Sequence, residues 1–271
     1  MKMSSSRGLI LYHALPSSYS QKVVLALKYL NLTYESRLVN LFDGEQLEPW
    51  FLDLNPKGEV PTLKDGDLVL TDSADIIQHL NDRYDTRRSD EKLIPNPVTP
   101  VGRSVAEVNQ LICSVKTFVL TFGAAFHPQH TENSTLSDEE SKGRRAFVDK
   151  MTECIREKLA VAKPPYKESY TYKLTKISTG GALLKDENVF LAELKSTREV
   201  LERIEDHLSR SQGKWIFFDH LTLADISLAV LLYRIKKLGL QHHFWAEGSL
   251  PNVASYLDRV LKDPTVAESL S

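Results

Sequence analysis

Apolar and polar positions follow two regimes along this chain. In the first, short apolar runs are cut by turn residues. Leu9-Ile10-Leu11-Tyr12 reads as a buried strand, and Pro16-Ser17-Ser18-Tyr19-Ser20 as a polar turn. Val23, Val24, Ala26, Leu27 and Leu30 then recur at helical spacing up to a stop at Asn31. Residues 33–41 read as a second strand and 46–54 as a short helix. Two strands joined at Asp65-Gly66 read as a hairpin, and Asp72 or Ser73 caps a helix carrying Ile76, Ile77 and Leu80. After Pro100 the strand pattern is gone. Residues 105–122 predict one apolar-rich helix; 137–162 predict a charged helix with Phe147, Met151, Ile155 and Leu159 on one face, ended by Pro164-Pro165. Residues 166–182 read as a loop or weak helix. Phe190, Leu194, Leu201, Ile204 and Leu208 mark a long helix, and Leu221-Thr222-Leu223-Ala224-Asp225 opens an almost wholly apolar one, the expected centre of this half.

The order β-α-β-α-β-β-α in the first 85 residues is that of a thioredoxin-like unit. Prolines 95, 97 and 100 cannot continue a helix and mark a linker. The expected organisation is an α/β thioredoxin-like domain at 8–85, a linker at 86–100 and an all-α domain at 101–271. A chain of 271 residues suits two domains. With 34 basic against 36 acidic residues, bulk attraction to nucleic acid is not expected. The two cysteines, Cys113 and Cys154, form no CxxC pair and no zinc set, and point to a reducing compartment. His127-Pro128-Gln129-His130 and His242-His243 lack carboxylate or Cys company at ligand spacing, so no metal is expected. The longest apolar run, residues 226–233, is well short of the roughly 18 residues of a membrane span.

Three turns carry candidate chemistry. Ser17, Ser18 and Ser20 stand where a thioredoxin-like fold would hold a redox Cys pair. Disulfide exchange is thereby excluded; the serines either cap the helix or donate a hydroxyl to a thiolate on a bound ligand. Pro61 opens a strand just after Gly58. A cis bond there would leave the Val60 backbone free to pair with an extended peptide, whereas a trans bond makes an ordinary edge strand. Asp72-Ser73 is either a plain helix cap or a holder for a carboxylate or amino group. Taken together, the three turns suit one extended, acidic, thiol-bearing peptide, a description that fits glutathione.

On these residues the chain resembles the glutathione S-transferase superfamily. The motifs are Ser17-Ser18-Tyr19-Ser20-Gln21-Lys22-Val23, Asn55-Pro56-Lys57-Gly58-Glu59-Val60-Pro61-Thr62-Leu63, Asp72-Ser73, and the capping stretch Leu221 to Ala229 around Thr222 and Asp225. The resemblance implies glutathione as co-substrate, a cis Pro61, backbone pairing at Val60, and Asp72-Ser73 on the γ-glutamyl group. Ser17, six residues before Val23, would be the catalytic hydroxyl, with Tyr19 as a rival donor and Ser18 beside it. Asp72 is shorter than the usual Glu or Gln. A long helical insertion, about 126–188, is the surplus over ordinary transferases.

Such an insertion is similar to that of the ganglioside-induced differentiation-associated protein 1 family. Glu48-Pro49-Trp50-Phe51, Gly123-Ala124-Ala125-Phe126-His127-Pro128, Leu183-Leu184-Lys185-Asp186-Glu187-Asn188-Val189 and Pro251-Asn252 agree with it. That resemblance implies a tail-anchored, cytosol-facing protein of the mitochondrial outer membrane. It further implies a part in mitochondrial fission and redox homeostasis, weak or absent transferase activity, a homodimer, and protein partners for the charged insertion. The sequence as given holds no anchor. Truncation before one is the favoured expectation, a cytosolic, active serine-type transferase the alternative. The joint presence of Ser17, Val60, Pro61 and Ser73 predicts a better-kept glutathione site than such relatives have.

Overall fold

The computed structural model describes residues 8–211 and 213–270. β1 (Leu9–His13) is apolar and central. It pairs in parallel with β2 (Glu35–Leu38) and antiparallel with β3 (Thr62–Asp65), which turns at Gly66 into β4 (Leu68–Leu70), giving the order β2-β1-β3-β4. The register sets Leu11 opposite Leu63, and both are buried. α1 (Ser18–Tyr29), α2 (Pro49–Leu54) and α3 (Ser73–Tyr84) complete the thioredoxin-like half. α1 ends where Asn31 enters the left-handed region at φ 53°.

The second strand is shorter than the pattern predicts. All four β2 residues are exposed, and the chain leaves the edge at Asn40. There the Asn40 side-chain oxygen accepts from the N–H groups of Phe42 and Asp43, and the Asn40 N–H donates to Glu45. These local bonds replace the ladder.

The rest is helical: α4 (Pro100–Cys113), α5 (Thr117–Phe126), α6 (Asp138–Val161), α7 (Tyr166–Leu184), α8 (Glu187–Ser209), α9 (Leu223–Lys237), α10 (Pro251–Val260) and α11 (Pro264–Leu270). The single helix expected over 105–122 is two helices. Between them the Ser114 hydroxyl donates to the Leu111 carbonyl and the Lys116 N–H donates to the Glu193 carboxylate of α8 at 2.7 Å. The stretch Pro100–Phe126 is long and apolar enough to cross a membrane by composition, yet it folds as this broken pair, packed on α9 and α8. Residues 166–182, expected as a loop or weak helix, belong to regular α7. Its apolar face, including Tyr170 and Ile177, lies on α6, and Gly181 lets Val148 approach closely. Two adjacent glycines mask that helix in a propensity reading.

α9 is the buried centre, in contact with α1, α4, α5, α10 and α11. α6 and α7 fall in the stretch, about 126–188, expected as the insertion. They lie across the segment between β2 and β3, where Leu47, Leu52, Met151, Ile155 and Tyr170 form a separate apolar cluster.

Candidate functional site

Ser17 is the N-cap of α1. Its Oγ accepts the Ser20 N–H at 3.2 Å, and among the described residues its own proton has no acceptor, so it can be donated outward. It is half-buried, at a helix end whose first-turn N–H groups and dipole favour negative charge. Ser18 is buried against Thr117 of α5, hydroxyl to hydroxyl at 3.3 Å, and Ser20 accepts the Ala14 N–H. Tyr19 is half exposed.

The Val60–Pro61 peptide bond is cis. Among the described residues neither the N–H nor the C=O of Val60 has a hydrogen-bond partner. The preceding loop is held by Asn55, whose side chain donates to the Glu59 carbonyl and to Thr62 Oγ1. Gly58, at φ +56°, sits where an added Cβ would lie 2.8 Å from the Gln46 carbonyl oxygen, so both its conformation and the space demand glycine. Asp72 is the N-cap of α3 and accepts the Ala74 N–H at 2.8 Å; it is exposed and Ser73 half-buried.

These residues do not share one cavity. Ser17, Tyr19 and Val60 line a cavity of about 370 Å³ whose far wall is the insertion: Phe147, Met151 and Ile155 of α6, and Ile177 and Leu184 of α7. Ser18, Asp72 and Ser73 line an adjoining cleft of about 240 Å³, with Lys22 and Cys113. Tyr19 borders both, and Pro61 is buried behind them. The three-turn arrangement expected from the sequence is therefore divided between two neighbouring compartments that share Tyr19.

A residue cluster invisible in the sequence pins the insertion here. Glu59 Oε1 accepts from Lys173 at 3.2 Å and Lys176 at 2.6 Å, both on α7. Tyr170 donates to the Leu47 carbonyl, Lys158 pairs with Glu48, and Tyr166 donates to Asp53. The partners lie more than a hundred residues apart, so no local pattern marks them. Lys22 Nζ likewise stands 3.3 Å from Cys113 Sγ. Among the described residues no three His, Cys, Asp or Glu side chains form a group able to hold a metal ion.

Burial pushes the Glu59 carboxyl up, but the two lysines overcome this and hold it below its ordinary range. Burial pushes Lys173 down, while its neighbour Lys176 is raised. A carboxylate with a depressed pKa contributes stability above its unfolded value and loses it as pH falls through the folded value. Acid below the ordinary carboxylate range should therefore weaken this tie to α7, read as faster amide exchange in α7. Glu59→Gln should produce the same exchange at neutral pH, and unchanged exchange in that variant would remove the latch.

Two family descriptions match the chain: glutathione S-transferase, N-terminal domain, over residues 16–83, and glutathione S-transferase, C-terminal domain, over 187–259. α6 and α7 fall between them. The human ganglioside-induced differentiation-associated protein 1-like 1 is 29% identical over 261 residues, 93% of this chain and 71% of that protein. Glutathione S-transferase 1 of Schizosaccharomyces pombe is 51% identical over 70 residues, 25% of this chain and 31% of that one. Among solved structures, a beta-etherase of Sphingobium sp. strain SYK-6 superposes with a TM-score of 0.66 at 21% identity, covering 96% of this chain and 98% of its own. A glutathione transferase of Phanerochaete chrysosporium, solved with oxidized glutathione, gives 0.62 at 20%, covering 98% and 95%. With both domain matches in chain order and the sheet and α9 core as described, the chain belongs to the glutathione S-transferase superfamily.

Proposed function

We propose that this chain binds glutathione across the two compartments and turns it over weakly. In this reading it works at the cytosolic face of the mitochondrial outer membrane, in organelle fission and redox homeostasis. The observation that carries the binding is the Ser17 hydroxyl, with an uncommitted proton at a helix N-terminus, on the same cavity wall as the unpaired Val60 backbone. The cysteinyl part of glutathione would pair with Val60, its thiol facing Ser17, and its γ-glutamyl end would run toward Asp72 and Ser73. Weak turnover follows from the roof: α7 is tied to Glu59 beside Val60, so an electrophile has to enter a cavity already walled by the insertion. The organelle placement rests on the likeness to the ganglioside-induced differentiation-associated protein 1 relatives.

The test is retention on immobilised glutathione, with calorimetry at millimolar glutathione beside it. Retention and a rise in melting temperature are expected; the absence of both heat and retention would end the proposal. A second reading is favoured by the apolar walls of the larger cavity: an active cytosolic serine-type transferase for small hydrophobic electrophiles. Rapid conjugation of an aryl halide and diffuse cytosolic staining of the endogenous protein would select it.

A further inference from the structure

A third cavity, of about 150 Å³, lies beside the Ser17 turn and is walled by that turn, the Leu41–Phe42 loop after β2, α5, α6 and α9. Two arginines line it, Arg144 from α6 and Arg234 from α9, only 2% and 3% exposed. Among the described residues neither has a carboxylate within hydrogen-bond distance. Arg234 donates to the Pro16 carbonyl at 2.7 Å and, at 3.3 Å, to the Gln21 side chain, both uncharged, and among the described residues its Nε–H has no acceptor. Arg144 Nη1 also has none among them. The nearest carboxylate, Glu140, is 3.9 Å from Arg144, beyond hydrogen-bond distance. Glu140 is already engaged by the Ser137 N–H at 2.9 Å and approached by Lys237 at 3.7 Å.

Burying one guanidinium costs several kcal/mol unless its charge and donors are met, and two facing one cavity repel each other. Burial and the neighbouring Arg144 charge bring Arg234 down to about 10, which still leaves it protonated at neutral pH. Planar guanidinium forks match the oxygens of carboxylates and phosphates better than any neutral ligand. The space is ample: a single water needs only about 10–15 Å³ by the same measure. Ser17 adds a hydroxyl to the wall, where Ser18 and Thr117 bond to each other and Thr121 donates to the Thr117 carbonyl.

We propose that Arg144 and Arg234 form a subsite for a small oxyanion, the carboxylate of an organic acid or a phosphate, next to the Ser17 turn. This goes beyond the glutathione reading and does not require it. Ser17, Tyr19, Leu41, Phe118 and Phe147 border both this cavity and the larger one, so an acid with a short apolar body could occupy the two at once. Half of the subsite comes from the insertion, which gives α6 a ligand-binding role.

The test titrates the full chain with potassium phosphate and, separately, with succinate, against chloride at equal ionic strength. Melting temperature is followed with the arginine Nε–H resonances. Either anion should raise the melting temperature and shift the Arg234 signal, and the responding arm identifies the oxyanion. Arg144→Gln should weaken binding by about tenfold or more, the loss of one charge-assisted pair. Arg144→Lys and Arg234→Lys keep the charge without the fork and guard against a misfolded variant; they should bind with intermediate affinity. Wild-type protein that treats phosphate and succinate like chloride would overturn the proposal. So would folded Arg144→Gln and Arg234→Gln variants with wild-type affinity. Retention on immobilised glutathione, run on the same preparations, separates this outcome from that of the glutathione site.

Discussion

Asp225→Ala is expected to destabilise the protein by about 3–5 kcal/mol, a drop of about 10 °C in melting temperature for a chain of this size. The carboxylate is fully buried at the start of α9 and accepts four hydrogen bonds. Oδ1 takes the Ile216 N–H at 2.8 Å and the Tyr256 hydroxyl at 2.9 Å, and Oδ2 takes the Thr222 N–H at 2.9 Å and its hydroxyl at 2.7 Å. One side chain thus ties the 213–222 loop, the first turn of α9 and α10 together. Burial pushes this carboxyl above its ordinary range, and the four donors pull against it. Alanine strands all four donors in a fully buried region, and each unsatisfied group costs about 1–3 kcal/mol before relaxation. Asp225→Asn keeps an acceptor but turns an amide donor toward donors, so it should fall between. Chemical denaturation with the slope monitored checks this; a loss below about 1 kcal/mol for Asp225→Ala would show that the loop re-pairs elsewhere.

Ser17→Ala is expected to lower conjugation of an aryl halide by about a hundredfold while leaving retention on glutathione nearly unchanged. A free thiol titrates near ~8.5, so only a few per cent is thiolate at neutral pH. Lowering that by ~2 units needs about 2.7 kcal/mol of preferential thiolate stabilisation, within reach of one hydroxyl donor and a helix N-terminus. The variant also loses the cap to the Ser20 N–H, about 1 kcal/mol of stability, which a melting curve separates from the rate effect. Ser17→Thr restores both hydroxyl and cap and should restore the rate. Equal loss of conjugation and retention would make Ser17 a binding residue only. A larger loss in Tyr19→Phe would move the donor role to Tyr19, which borders all three cavities.

Much of this protein is legible before folding. The order of elements through Tyr84, the Asp65-Gly66 hairpin and the capping stretch at Thr222 and Asp225 are local or short-range patterns, because strand alternation, turn chemistry and caps act over a few residues. The same holds for α6, whose capping box at Ser137 and Glu140 opens the charged, four-spaced segment. The break between α4 and α5 was not legible, because Glu193 imposes it from 77 residues away. Nor was α7, whose glycines argue against a helix until α6 supplies a surface for it. Ser17, Val60, Asp72 and Ser73 stand out in the chain by their residue types and spacing. Only tertiary packing decided that Ser17 and Val60 face one cavity while Asp72 and Ser73 face the next. Tertiary packing also decided that Lys173 and Lys176 close on Glu59, and that Arg144 and Arg234 meet beside the Ser17 turn. The physical reason is common to all three. Charges and hydroxyls far apart in sequence acquire their energies from burial and from each other, and neither exists until the helices have packed.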